Sequence, residues 1–219
     1  MSANKNSESN VLWIIVGLIV VLMIGGLFLL ASSGKKKQKK ADRELLESGI
    51  RNVKGNPEAE IVIVEFSNYQ CSACKTFNDV LVQAASEYGD QIAAAFRHYP
   101  FSNEGVAHQA ALAVEAAGVQ GKSWELTDIF FERQEEWGSL STEEFLLKLR
   151  EYAEEIGIED IDTFVSDVES ATYAANVDGD LEIVDELGLT GTPTVYINGE
   201  FFEEFSSYEA LKEEIEKRL

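Results

Sequence analysis

The pattern of apolar and polar positions divides this chain into an apolar N-terminal segment, a polar stretch, and a long region with strand and helix periodicities. Residues 11–30 are 20 successive positions without a charge, enough for a helix that spans the ~30 Å hydrocarbon core of a bilayer. We predict an uncleaved transmembrane anchor at residues 11–31 after a short polar N-terminus at residues 1–10, with a cleaved signal peptide as the alternative. A basic and then polar linker is predicted for residues 32–58, and a folded domain for residues 59–219.

The folded domain opens with a strand, a helix and a second strand. Residues 61–66 are short, β-branched and almost continuously apolar, as in a buried strand. A helical period runs from Cys71 to about residue 87, and another apolar run at residues 92–99 stops at Pro100. This order and spacing predict a βαβ unit with parallel strands.

The following region, about residues 103–188, has helical periodicity throughout. Helices are expected near residues 105–117, 124–136, 143–155, 162–175 and 180–187, the third opened by a capping box that starts at Ser141. The pattern then returns to strands at residues 195–197 and 200–202, joined by Asn198-Gly199, which favours a tight hairpin. A last helix is expected from about residue 206 to the C-terminus. The domain is therefore α/β, with the order βαβ, a helical insertion, then ββα.

The net charge and the small number of cysteines limit the partners and the kinds of site that this chain can have. The formal net charge is −21, and beyond Arg43 there are 11 basic and 37 acidic side chains, which argues against nucleic acid as a partner. The chain holds only two cysteines, Cys71 and Cys74, so no disulfide framework is available. The two histidines, His98 and His108, do not have zinc-finger spacing, and no metal site is predicted. His98 is interpreted as a strand-end histidine, with a redox role near the cysteines as the alternative.

The cysteine pair lies where a predicted helix begins. Unpaired backbone N–H groups and the positive end of the helix dipole favour a thiolate there, so Cys71 is expected to be an exposed nucleophile. Cys74 lies one turn into the helix and is expected to resolve a mixed disulfide with Cys71. A structural staple, a metal site and a redox centre all remain compatible with the pair alone.

Three short sequence motifs, in this order along the chain, resemble the motifs of one protein family. They are the block around Glu65-Phe66 and Cys71-Ser72-Ala73-Cys74, the string Phe96-Arg97-His98-Tyr99-Pro100, and the loop Gly191-Thr192-Pro193-Thr194. All three resemble motifs of the membrane-tethered, BdbD-like members of the DsbA-like thiol:disulfide oxidoreductases. The resemblance covers about residues 56–219. It implies a thioredoxin fold with a helical insertion, here preceded by one transmembrane helix.

The resemblance also implies roles for single residues. Pro193 is expected to follow a cis peptide bond, and the backbone of Thr192 to pair with an extended substrate close to the cysteines. Ser72 and Ala73 form the dipeptide between the cysteines, where many relatives have proline or histidine. Glu65 is expected to be a buried carboxyl group that relays the proton of Cys74; an outward-facing strand residue is the alternative.

The function predicted from these features is a membrane-anchored enzyme that forms disulfides in exported proteins by exchange at Cys71 and Cys74. No cofactor beyond that disulfide is expected; the partners implied are thiol-containing exported polypeptides and a membrane reoxidant of the DsbB/VKOR type. A reductase or isomerase on the same scaffold, and a tethered binding or chaperone-like module, are the alternatives. The catalytic domain is predicted to be extracytoplasmic, although the lysine cluster at residues 35–40 favours the opposite orientation.

Overall fold

Five strands form one mixed sheet in the computed structural model, which describes residues 40–102 and 105–219. In chain order they are β1 (Val53–Gly55), β2 (Ile61–Ser67), β3 (Ile92–His98), β4 (Thr194–Ile197) and β5 (Glu200–Phe202). Their order across the sheet is β1-β3-β2-β4-β5. β2 and β3 are parallel, as predicted, and the other neighbouring pairs are antiparallel.

Helices surround the sheet and build the insertion. They are α1 (Arg43–Glu47), α2 (Ser72–Tyr88), α3 (Val106–Val119), α4 (Ser123–Glu132), α5 (Gln134–Trp137), α6 (Thr142–Ile156), α7 (Ile161–Glu169), α8 (Ala174–Leu187) and α9 (Tyr208–Glu216). No helix among these described residues is long and apolar enough to cross a membrane. The anchor predicted at residues 11–31 lies outside the described residues.

The central strand β2 is buried along its whole length. It pairs with β3 on one side and β4 on the other, and both of its faces are covered by apolar side chains. Strands covered on both faces are continuously apolar rather than alternating, which explains the run of β-branched residues. On one face β2 packs with residues of α2 and α9, and on the other with residues of α1 and α8.

The insertion between β3 and β4 has its own apolar core, which extends to Tyr69 and Cys74 beside the active site. The capping box predicted at Ser141 is confirmed: its side chain accepts from the Glu144 N–H, and Glu144 caps Ser141 in return. The boundaries predicted for the last two insertion helices are wrong. The first of them already ends at Glu169, with Ser170 as its C-cap and Ala171 at a left-handed φ of 52°, and the next runs as one helix from Ala174 to Leu187.

The predicted linker is wrong for the part of it that forms α1 and β1. Leu46 in α1 is 1% exposed, and β1 pairs antiparallel with β3. The buried guanidinium of Arg97 in β3 donates to the carbonyl oxygen of Leu46 at 2.8 and 3.0 Å. The polar sequence predicts a linker, but one apolar anchor and backbone hydrogen bonds fix this segment to the sheet.

The hairpin predicted at Asn198-Gly199 is confirmed and holds the start of the described chain. Both residues have positive φ, 48° and 83°, as the favoured two-residue turn requires. Ala41 N donates to the Gly199 carbonyl oxygen at 2.9 Å. A Cβ at Gly199 would lie 2.8 Å from the Ala41 carbonyl oxygen, so glycine permits both the turn and this close approach.

Candidate active site

The two cysteines lie at the edge of the sheet where the parallel strands β2 and β3 end. β2 ends at Ser67, and Asn68 organises the short loop that follows. Its side chain accepts from the Gln70 N–H at 2.8 Å, and its carbonyl oxygen accepts from the Cys71 N–H at 2.9 Å. Cys71 is thus held as the N-cap residue of α2, in an extended conformation (φ −86°, ψ 120°), at the helix end where a negative charge is stabilised.

Cys71 is partly exposed, and its surroundings favour the thiolate. Its Sγ lies 3.5 Å from the carbonyl oxygen of Thr192, to which the thiol donates. Partial burial acts to raise the pKa of Cys71, but hydrogen bonds from the Thr192 hydroxyl, the Cys74 thiol and the N–H groups of Cys74 and Ala73 outweigh it. The net effect is a lowered pKa, as a nucleophilic cysteine requires.

Cys74 has the opposite environment. It is 0% exposed and belongs to the apolar core of the insertion. Burial, and then the negative charge of Glu65, raise the pKa of Cys74 well above its ordinary value, although contacts with Asn68, Ser67 and Thr192 partly oppose them. Both cysteines are free in this structure, so the pair combines an accessible cysteine with a lowered pKa and a buried cysteine with a raised pKa.

The loop before β4 faces Cys71. The Thr192–Pro193 peptide bond is cis, as the resemblance implied. The Thr192 hydroxyl is buried and has no hydrogen-bond partner among the described residues while Cys71 is a thiol; a thiolate at Cys71 supplies the acceptor. Gly191 and Thr194 close the loop, because the Thr194 hydroxyl donates to the Gly191 carbonyl oxygen at 2.7 Å.

Glu65 is a buried carboxyl group in β2 and not an outward-facing residue. It is 0% exposed, and its Oε1 accepts a 2.6 Å hydrogen bond from the Ser67 hydroxyl. Burial raises the pKa of Glu65 to about 8, with a smaller contribution from the charge of Cys71 and an opposing one from the Ser67 hydrogen bond. A group with this pKa holds and releases a proton near neutral pH.

The insertion fixes the loop that leads into Cys71. The Gln134 side chain donates to the Tyr69 carbonyl oxygen at 2.7 Å, and the Gln70 side chain donates to the Gly138 carbonyl oxygen at 2.6 Å. The Tyr69 ring is 1% exposed and stacks on Phe96 with ring centroids 5.0 Å apart. Aromatic packing and two amide hydrogen bonds therefore tie the catalytic loop to the helical region.

A buried ionic network supports the end of β3. Arg97 Nη1 donates to Asp180 Oδ1 at 2.7 Å, and the His98 N–H donates to Asp180 Oδ2 at 2.9 Å. His98 Nε2 lies 2.9 Å from Glu115 Oε1, which makes it a structural strand-end histidine, as interpreted from the sequence. The network joins the sheet to α3 and α8.

Comparison with known proteins places this fold and site in a family. Residues 48–217 match the family model described as thioredoxin. The chain belongs to the thioredoxin family. Within that family it is similar to disulfide bond formation protein D from Bacillus subtilis, at 29% identity over 78% of this chain and 81% of that protein. It is also 31% identical to Na(+)/H(+) antiporter NhaA 1 from Mycolicibacterium gilvum, over 68% of this chain but only 23% of that protein.

Solved structures of thioredoxin-family proteins agree with this placement. Oxidised BdbD from Bacillus subtilis has a TM-score of 0.67 and 25% identity, over 81% of this chain and 95% of that chain. The thiol-disulfide exchange protein alpha-DsbA2 from Wolbachia pipientis has a TM-score of 0.68 at 19% identity, over 81% and 91% of the two chains, which shows a shared fold. The predicted DsbA-like, BdbD-like family and the enzyme class, a thiol:disulfide oxidoreductase, are confirmed.

The structure brings the predicted site residues together and adds others. Cys71, Cys74, Glu65 and the Thr192–Pro193 loop meet at one end of the sheet, with Ser72 exposed and Ala73 half-buried in the first turn of α2. Ser67, Asn68 and Gln134 were not predicted as site residues. A serine two positions after a buried carboxylate on the same strand was a usable signal for Ser67, because alternate residues share a face; Gln134 is distant in sequence and gave none.

Proposed function

We propose that this protein is a membrane-anchored enzyme that forms disulfides in exported proteins. A substrate thiolate attacks Cys71 Sγ of the Cys71–Cys74 disulfide, and Cys74 leaves as a thiolate that takes up a proton. The second substrate thiolate then attacks the substrate sulfur of the mixed disulfide and expels Cys71. The substrate leaves with a disulfide. The cysteine pair of the enzyme has gained two electrons and is reduced, with the sulfur of Cys74 protonated.

The observation that carries this proposal is the opposite perturbation of the two thiols. Hydrogen bonds from the Thr192 hydroxyl and the first turn of α2 stabilise a thiolate at Cys71, whereas Cys74 is buried and stays protonated. Stabilising the reduced pair makes the disulfide a better oxidant. Neither proline nor histidine lies between the cysteines, so Thr192 and the backbone N–H groups supply this stabilisation.

The loop at Thr192 and Pro193 supports a substrate site next to Cys71. The Thr192 carbonyl oxygen is 3.5 Å from Cys71 Sγ, so an extended polypeptide joined to that sulfur would run alongside the loop. Ser72 is exposed in the same turn as Cys71 and would contact the substrate with Ala73. We therefore assign substrate binding to Thr192, Pro193, Ser72 and Ala73, and proton transfer to Glu65.

The location and the reoxidising partner follow from this activity. Stable protein disulfides are made outside the reducing cytoplasm, so we propose that the catalytic domain lies on the extracytoplasmic side. Residues 11–31 are the proposed anchor, between the polar N-terminus at residues 1–10 and the linker that begins at residue 32. Each turnover leaves the enzyme reduced. A DsbB/VKOR-type membrane protein is proposed as the electron acceptor, with thiol-containing exported polypeptides as substrates.

The redox potential of the purified full-length protein tests the direction of catalysis. Equilibration with glutathione buffers, read by alkylation of free thiols, is expected to give a potential above about −200 mV, in the range of oxidising members of this superfamily. A potential near about −270 mV would instead assign the protein to the reductases, and one below about −300 mV would indicate a structural disulfide.

The side of the membrane is tested separately in intact cells. After mild reduction, an impermeant thiol reagent is expected to label Cys71 without lysis, and a Cys71→Ser variant serves as the unlabelled control. Labelling that appears only after lysis would contradict the extracytoplasmic placement and the export of the substrates.

A further inference from the structure

Ser67 is a buried residue of β2 next to Glu65, the carboxyl group to which proton transfer is assigned. Its side chain is 1% exposed, and its hydroxyl donates to Glu65 Oε1 at 2.6 Å. The two residues are separated by one position in β2, so their side chains leave the same face of the strand. Burial and the charge of Glu65 raise the pKa of Cys74, and a hydrogen bond with the Ser67 side chain acts to lower it.

The Glu65 carboxyl group accepts its side-chain hydrogen bond from Ser67 at one oxygen, Oε1. Its other carboxyl oxygen, Oε2, is buried without a hydrogen-bond partner among the described residues. The influence of Glu65 on Cys74 is that of its charge, whereas the influence of Ser67 on Cys74 is a hydrogen bond. The Ser67 hydroxyl thus interacts with both Glu65 and Cys74, and a hydroxyl can accept and donate at the same time.

We propose that the Ser67 hydroxyl relays the proton between Glu65 and Cys74, an inference that rests on the proposed function of the cysteine pair. When a substrate thiolate attacks Cys71, the S–S bond breaks and Cys74 leaves as a thiolate. The Ser67 O–H proton moves to Cys74 Sγ, and the Glu65 carboxyl proton moves to Ser67 Oγ. The products are a Cys74 thiol, an unchanged serine and a Glu65 carboxylate, so the relay moves one net proton and no electrons.

Reoxidation runs the relay in reverse. Cys74 must lose its proton before it can attack the mixed disulfide between Cys71 and the oxidant. The Ser67 oxygen takes that proton as its own hydroxyl proton passes to the Glu65 carboxylate. The Cys74 thiolate then displaces the reduced oxidant and re-forms the S–S bond with Cys71. The relay therefore serves both halves of the cycle at the same buried sulfur.

The test compares the full-length protein with Ser67→Ala, Ser67→Thr and Glu65→Gln variants. Reduction of the Cys71–Cys74 disulfide by dithiothreitol is followed by quenched flow and thiol alkylation from pH 6 to pH 10, with rates divided by the thiolate concentration of the reagent. The unmodified protein is expected to give a rate constant that falls as the pH passes the pKa of Glu65, which burial raises above its ordinary value. Ser67→Ala is expected to lose about tenfold below that pH and to lose the pH dependence.

The controls separate a relay from a structural effect. Ser67→Thr, which keeps the hydroxyl, is expected to restore both the rate and the profile, and Ser123→Ala, which removes another buried hydroxyl, to change neither. Ser67→Ala in the Glu65→Gln background is expected to cost nothing further, because the two residues act in one path. A full additional loss in that background, or an unchanged profile in Ser67→Ala, would overturn the relay. Failure of the unmodified protein to exchange with dithiothreitol would instead overturn the proposed function.

Discussion

Replacing Thr192 by valine removes one hydroxyl and almost no volume at the most informative contact of the site. The hydroxyl is buried and unpartnered while Cys71 is a thiol, but it donates to the Cys71 thiolate and lowers the pKa of that cysteine. The substitution therefore acts on the reduced, ionised enzyme. The oxidised enzyme is not expected to lose stability, since it loses only a buried polar group that makes no hydrogen bond.

The size of the effect follows from the energy of a hydrogen bond to a charged group, about 1.5–3 kcal/mol. Cys71 is partly exposed, so water replaces part of the lost contact and the lower end applies. About 1.4 kcal/mol corresponds to a rise of about one unit in the pKa of Cys71. The same energy, lost from the reduced form, lowers the reduction potential by about 30 mV at a pH where Cys71 is ionised.

Two assays on full-length protein measure these values. The thiolate absorbance of Cys71 is titrated against pH, and the potential is obtained by equilibration with glutathione. Thr76→Val is the matched control, because the Thr76 hydroxyl bonds to the Ser72 carbonyl oxygen rather than to a sulfur. If Thr192→Val and Thr76→Val titrate alike and share the potential of the unmodified protein, the assignment of thiolate stabilisation to Thr192 is wrong.

Further predictions concern the protonation of Glu65, the buried ion pair between Arg97 and Asp180, and Cys71 as the nucleophile. The folded-state pKa of Glu65, about 8, lies above its ordinary value of 4.5, so its contribution to stability is complete below pH 4.5 and is lost as the pH rises to about 8. Glu65→Gln is expected to remove this pH dependence of the free energy of unfolding, measured by urea unfolding of the reduced protein. An unchanged pH dependence would contradict a buried, protonated Glu65. Asp180→Asn leaves Arg97, 2% exposed, without its carboxylate, and is expected to cost roughly 3 kcal/mol in the same assay; a loss below about 1 kcal/mol would show that the network contributes little. In the Cys74→Ser variant the Cys71 thiolate is expected to attack the disulfide of an oxidised polypeptide, to form a mixed disulfide and to release one polypeptide thiol, and the product is seen as a reducible adduct by mass spectrometry. An adduct that survives in a Cys71→Ser, Cys74→Ser double variant would contradict Cys71 as the nucleophile.

The parts of the fold that are local in sequence could be predicted. The β-branched run of β2, the Ser141 capping box and the Asn198-Gly199 turn each carry their signal within a few residues. The α1–β1 segment could not be recognised in this way, because its structure depends on long-range contacts. Leu46 is buried in the apolar core on one face of the sheet, and its carbonyl oxygen accepts from Arg97, 51 residues away, so only the tertiary structure shows that this stretch belongs to the domain.

The candidate site was predictable where the family strings carry it. Cys71, Cys74 and Pro193 follow from residue type and order, and the burial of Glu65 follows from its position in an apolar strand. The contacts that tune the site were not visible. The Thr192 hydroxyl affects the pKa of Cys71 across 121 positions of sequence, and Gln134 holds Tyr69 across 65; neither distance leaves a pattern in the chain.

The most direct test of the central claim is the transfer of the disulfide itself. Oxidised full-length protein is mixed with an equal amount of a reduced, unfolded polypeptide that has two cysteines, and both are alkylated and weighed over time. The account predicts that the polypeptide gains one disulfide as Cys71 and Cys74 become alkylatable, and that a Cys71→Ser variant transfers none. A polypeptide that stays reduced while the Cys71–Cys74 disulfide persists would contradict the account.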